Sequence, residues 1–279
     1  KYSAIRNRFD MPLFLKHQLD RLYSRFDSRS WVHPDPLEFL YRYAHTRDRE
    51  IAALVASSLA YGRVAQILKS VSLVLKKMED SPFFFLKNSS PADISNLFRD
   101  FRHRFTSGHD LSQVLIAVKK VLEKHGSLYF CFLSAYDPSQ ETVLPAITFL
   151  TDEIRSHMID PRNSLLALPA RGSACKRLNL FLRWMVRTDA VDPGGWPGVS
   201  ASKLIIPLDT HMHRISLLLD LTEGKQANMK TAMEITRSFR RFAPEDPVRY
   251  DFALTRLGIR QEEGIHSFLE RCGGIRTGE

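Results

Sequence analysis

Apolar residues recur every three or four positions along most of this chain, and no series of segments alternates with a period of two. This constrains the fold more than any other feature. A stripe at that spacing covers one face of a helix but would put hydrophobes on both faces of a strand. Leu13, Leu15, Leu19, Leu22 and Phe26 follow Asp10-Met11-Pro12, whose proline suits a first helical position. The pattern predicts further helices over Leu37–Ala44, Arg47–Ala60 and Val64–Met78, the last two joined by the turn Tyr61-Gly62-Arg63. Others are predicted near 92–104, 110–125, 142–158, 210–220, 228–242 and 247–257. For the last, Asp246 and Pro247 read as cap and first-turn residues and Gly258 as the stop. Gly126–Asp137 is aromatic-rich and fits either helix or extended structure, whereas 189–203, with glycines at 194, 195 and 198, reads as loop. The expected class is all-α.

A chain of 279 residues can form one large domain or two modest lobes. No apolar run reaches the roughly 18–20 residues that span a bilayer. Lys1–Asp20 is charged throughout, unlike a signal peptide. The expected location is the cytoplasm, with no membrane partner. Cys131, Cys175 and Cys272 are too few and too scattered for a disulfide framework, a four-cysteine metal site or an iron–sulfur cluster. A net charge of +9 favours a polyanionic partner, of which nucleic acid is the commonest.

The charge concentrates after the turn Leu168-Pro169-Ala170-Arg171-Gly172. From there to Arg187 stand Arg171, Lys176, Arg177, Arg183 and Arg187, with no acidic residue among them. Lys176, Asn179, Arg183 and Arg187 recur at helical spacing, while Leu178, Phe181, Leu182 and Met185 take another face. A turn feeding a helix start offers backbone N–H groups to a phosphate, and basic side chains reinforce such a site. The plainer reading is an amphipathic helix with a solvated basic face. Helix polarity and the neighbouring arginines should also favour the neutral, nucleophilic amine at Lys176. Cys175 reads as a small buried hydrophobe.

The second informative segment runs from Leu204 to Leu219, where Asp209 separates an apolar extended stretch from a helix with Met212, Ile215, Leu218 and Leu219 inward. Asp209 is an expected N-cap, and a cap aspartate can also face a cleft. Asp209-Thr210-His211-Met212-His213 superficially resembles the metal-binding strand end of amidohydrolase barrels. Here it lies on a helix, where residues two apart diverge, so His211 and His213 are not assigned to a metal.

Together these segments resemble the helix-hairpin-helix DNA glycosylases. The matching features are Leu168-Pro169-Ala170-Arg171-Gly172, the Lys176 helix, and Leu208-Asp209-Thr210-His211 running to Arg214. The family carries Leu-Pro-Gly-x-Gly, a lysine just inside the next helix, and Val-Asp-Thr-His-x-x-Arg. The wide spacing of Lys176 and Asp209 is most similar to the archaeal oxidised-guanine glycosylase/lyase branch. The whole chain also resembles a bacterial family of conserved hypothetical proteins. The clear likeness covers about 165–220, with fainter ones over 47–78 and 245–259. Departures are Ala170-Arg171 in the hairpin, two extra residues before the lysine, Ser58–Gly62 where an early-helix glutamine is usual, and no iron–sulfur cysteines.

The resemblance implies two helical lobes around a positive cleft. Residues 46–200 would carry the hairpin and Lys176, and 1–45 with 201–279 would carry Asp209. It implies double-stranded DNA, damaged or modified, as partner, and no cofactor. The implied activity is base excision with strand cleavage through a Lys176 Schiff base assisted by Asp209. Arg171, Gly172, Arg177, Arg183, Arg187 and His211 would contact phosphate. Tyr61 and Trp196 would stack on an extruded base, and Arg63 or Gln66 would read its edge. Two other classes stay open: a non-catalytic nucleic-acid-binding module and a helical scaffold for an acidic protein.

Overall fold

The computed structural model describes residues 11–160, 162–169, 172–259 and 265–272. Among them the chain is all-α: thirteen α-helices and a single hairpin of two two-residue strands. None of these helices is long and apolar enough to cross a membrane.

Local chemistry accounts for most of the boundaries. Helix α1 (Met11–Phe26) is followed by a short 3-10 helix, Pro36–Arg42, which Asp35 caps by accepting from the Leu37 amide at 3.0 Å. Helices α2 (Thr46–Ser58) and α3 (Val64–Lys77) flank the Tyr61-Gly62-Arg63 turn. Ser81 and Ser90, each followed by proline, cap α4 (Pro82–Asn88) and α5 (Pro91–Leu97). A capping box between Ser107 and Asp110 starts α6 (Gly108–His125), and Gly126, left-handed at φ 82°, ends it.

The ambiguous aromatic segment becomes a short helix, α7 (Leu128–Leu133), and α8 spans Leu144–Ser156. Then come α9 (Lys176–Val186), α10 (Thr210–Leu218), α11 (Met229–Arg240), α12 (Asp251–Ile259) and α13 (Ile265–Cys272).

Two expectations are corrected. The helix predicted near 92–104 stops at Leu97, and the chain turns into a hairpin of β1 (Arg102–His103) and β2 (Thr106–Ser107). A methyl group on Gly108 would stand 1.9 Å from the Phe98 carbonyl, so close backbone contact is what allows this turn. In the last predicted helix, Asp246 is no cap; it pairs with Arg187 at 2.9 Å, α12 begins at Asp251, and Gly258 lies inside it.

Buried side chains from both expected lobes form one connected core, with Leu19, Leu37, Ile51, Phe181, Leu208 and Ile215 among its members. The 3-10 helix Pro36–Arg42 packs on α2 and α3, α9 packs on α2, and α12 packs on α1 and α10. The N-termini of α9, α10 and α12 thereby converge.

Candidate active site at three helix starts

Helix α9 opens from Cys175, which adopts a left-handed conformation (φ 49°) and gives the helix no side-chain cap. Burial raises the Cys175 thiol above its ordinary pKa, although Ser173 and Arg177 oppose the shift, so it packs as a hydrophobe. Lys176 is the first helical residue. Across from it, Asp209 caps α10 by accepting from the Met212 amide at 2.8 Å through Oδ1. Its other oxygen, Oδ2, lies 2.9 Å from Lys176 Nζ. Cap and ion pair therefore occupy separate oxygens of one carboxylate.

Burial alone would raise the Asp209 carboxyl, but the Lys176 charge and hydrogen bond, the Met212 amide and His211 hold it below its ordinary pKa. The two side chains remain 35% and 31% exposed, so both can be reached from outside.

A third helix start brings in Asp251, which the sequence reading missed. It is fully buried, accepts from Arg183, and its carboxyl is pushed up to about 6, by burial first and against the pull of Arg183. Lys176, Asp209 and Asp251 all line a cleft of about 170 Å³. Ala60, Val64, Ile67, Leu180, Trp184 and Phe252 give it an apolar wall beside these charged groups. Drug-sized sites enclose roughly 300–1,000 Å³, so this one suits a single small ring system. Trp184 was also missed; it is 1% exposed, and its indole Nε1–H finds no acceptor among the described residues.

The other predicted site residues divide by what tertiary packing does with them. Arg183 and Arg187 do not present a solvated, phosphate-ready face. Arg183 lies 3.1 Å from Asp192 and donates to Asp251, while Arg187 donates to Asp189 at 2.7 Å, to Asp246 at 2.9 Å and to Asp192. Both are buried, because a loop carrying Asp189 and Asp192 folds back over the helix that precedes it. Arg177 is half-buried and turned onto the protein, donating to the carbonyls of Ser58 at 2.8 Å and of Ser164. Gly172 has φ 74°, and its amide donates to the Pro169 carbonyl at 3.0 Å, which engages it within the turn. Arg171 lies outside the described residues.

Trp196 is a core anchor rather than a pocket wall. It is 1% exposed, packs on Phe181, and donates to Glu50 at 3.1 Å. Tyr61 uses its hydroxyl on the His103 carbonyl at 2.9 Å and on Thr106, so it anchors the hairpin. Arg63 and Gln66 are exposed at the start of α3 and do not line the cleft. His211 is half-buried beside Asp209, and its Nε2 makes no hydrogen bond among the described residues. His213 instead bonds the Gly224 carbonyl at 2.6 Å.

A family model described as a protein of unknown function (DUF2400) matches residues 35–260. No curated protein and no solved structure matches the chain.

Proposed function

We propose that this chain, which belongs to the DUF2400 family, is a DNA glycosylase with abasic-site lyase activity that uses Lys176 as nucleophile and Asp209 as its proton acceptor. One observation carries the reading: the 2.9 Å contact between two side chains from different helix starts, at an accessible cleft sized for one ring system. At rest the lowered Asp209 carboxyl favours the charged pair, and the hydrogen bond gives Lys176 a path along which to release its proton to the carboxylate as it attacks, since only the neutral amine is a nucleophile. The net charge of +9 suits a polyanionic substrate.

In the reaction, a damaged nucleotide is extruded, because its glycosidic carbon is out of reach within the duplex stack. Lys176 Nζ bonds to that sugar carbon, the bond to the base breaks, and the electron pair leaves with the base, which takes up a proton. The proton that Asp209 accepted passes to the departing base, and the restored carboxylate faces the positive charge developing on the sugar. The amine adduct opens to an imine. Loss of the neighbouring sugar proton then expels the 3′ phosphate with its electron pair, and water releases Lys176.

The test is borohydride reduction during incubation with duplex oligonucleotides carrying an abasic site or an oxidised guanine. Borohydride reduces the imine to a stable amine, so the expected product is a covalent protein–DNA adduct that Lys176→Ala abolishes. An adduct that survives in Lys176→Ala refutes the assignment. Salt-sensitive binding without any adduct leaves a nucleic-acid-binding module, and no binding at all leaves a helical interaction scaffold.

A further inference from the structure

The hairpin that interrupts the predicted 92–104 helix ends in a two-residue tip, Arg104-Phe105, between the pairs Arg102–Ser107 and His103–Thr106. Phe105 is 85% exposed. Isolated exposed hydrophobes are ordinary on protein surfaces, but this one sits on a rigid, strained and positively charged support. Arg104 is held at φ 53°, a left-handed conformation that strains a non-glycine residue.

The root of the hairpin is firmly fastened. His103 is fully buried, with Nδ1 2.9 Å from Ser70 Oγ and Nε2 3.1 Å from the Tyr61 carbonyl. Thr106 Oγ1 lies 2.6 Å from the Tyr61 hydroxyl, and the Tyr61 and His103 rings meet edge to face at 4.7 Å. The Arg177 guanidinium braces Tyr61 at 5.3 Å.

The Arg104 side chain reaches the turn beside the cleft. A methyl group on Gly62 would stand 2.7 Å from the Arg104 side chain, and the same turn supplies Ala60 and Val64 to the cleft wall. Arg63, Arg102 and Arg104 are exposed there and make no salt bridge among the described residues. No carboxylate occurs from Tyr61 to Met78, and Asp110, which follows the hairpin, is engaged by the Ser107 amide and hydroxyl as a capping box. The Arg104 guanidinium lies 5.5 Å from the centroid of the Phe105 ring, which stays largely open to solvent, and an exposed aromatic ring flanked by arginines on a rigid support is the combination that binds unstacked nucleobases: every base offers a π-face, and the cations meet the phosphates.

We infer that the Arg104–Phe105 tip is a stacking surface for an unpaired nucleobase of DNA beside the Lys176 cleft, with Arg63 and Arg102 contacting the flanking phosphates. The assignment rests on the nucleic-acid reading above and adds a preference for strands whose bases are already unstacked. Base–aromatic stacking supports a loss of roughly five- to hundred-fold in affinity when the ring is removed.

The experiment is fluorescence anisotropy with a labelled fully paired duplex and with the same duplex carrying a central unpaired thymine. Wild type, Phe105→Ala and Phe105→Trp are compared, with borohydride trapping run in parallel. The expected result is tighter binding of the unpaired duplex by wild type, with the preference lost in Phe105→Ala. Phe105→Trp should keep the preference, and its added indole fluorescence should be quenched by that DNA. Equal preference in wild type and Phe105→Ala overturns the tip assignment while trapping through Lys176 still stands. Absence of binding to either duplex by wild type overturns the tip and the nucleic-acid reading together. Loss of trapping alone, with the Phe105-dependent preference intact, overturns only the lyase.

Discussion

Asp209 offers the sharpest test of this site, because its two oxygens do different jobs. Oδ1 caps α10 through the Met212 amide at 2.8 Å, and Oδ2 pairs with Lys176 at 2.9 Å. Asparagine keeps a cap oxygen but loses the charge, whereas alanine loses both. Loss of an N-cap costs about 0.5–2 kcal/mol, and asparagine caps about as well as aspartate. The ion pair is about one-third exposed on each side, so its own contribution is about 0–1 kcal/mol after solvent screening.

Asp209→Asn should therefore melt close to wild type, and Asp209→Ala should lie lower by about 1 kcal/mol, or roughly 2–4 °C for a chain of this size. The same two variants should both lose imine trapping, by roughly 100- to 10,000-fold if the carboxylate is the proton acceptor. Thermal unfolding by circular dichroism and timed borohydride trapping, both at neutral pH, measure the two effects. Equal melting temperatures for the two variants would show that Oδ1 does not carry the cap. Wild-type trapping by Asp209→Asn would remove the carboxylate from the chemistry. Because its pKa is lowered in the folded state, the pair's stabilisation is present above the ordinary carboxylate range and is lost as pH falls below it.

Other consequences concern the interior. Glu50→Ala leaves the Leu128 and Tyr129 amides and the Trp196 indole without their acceptor, and should cost several kcal/mol at about 1–3 kcal/mol per orphaned donor, read by urea unfolding. In wild type the Glu50 carboxyl is raised by burial from 4.5 to about 7, so the folded state holds its proton more tightly than the unfolded chain. Stability should decline by roughly 3 kcal/mol as pH rises from about 4.5 through 7, and this decline should vanish in Glu50→Gln. Arg183→Leu strands the buried Asp251 carboxylate and leaves Asp192 with Arg187 alone, and should destabilise by about 3–5 kcal/mol; a neutral effect on melting would refute the buried-network description.

Sequence reading succeeded where the physics is local. The all-α class, the helices at Val64–Lys77 and Met229–Arg240, and the cap at Asp209 follow from hydrophobic spacing and from a carboxylate placed beside its own helix amides. The family resemblance implies a Lys176–Asp209 pair, and the two side chains meet at 2.9 Å. The errors share one cause. The arginine face of α9 looks solvated because no acid lies within the helix, yet Asp189 and Asp192 follow just beyond its end, and Asp246 and Asp251 arrive from far along the chain. Asp189 and Asp192 were the available signal, since acids in the loop after a basic helix can fold back onto it. Tyr61 and Trp196 were given to a pocket because an aromatic in a turn does not reveal which way it faces; one holds the hairpin and the other the core.

The amino-acid order by itself therefore determined which segments coil, where most of them begin and end, and that three lone cysteines and a net charge of +9 accompany them. Those properties depend on neighbours within about one helical turn. Only the tertiary structure decided which charges are neutralised inside, that Asp251 and Trp184 share the cleft with Lys176, and that Arg104 and Phe105 sit on a braced hairpin whose Arg104 meets the Gly62 turn. Pairing, burial and the apolar surroundings that shift a pKa depend on groups distant in sequence, and their positions are set only when the helices pack.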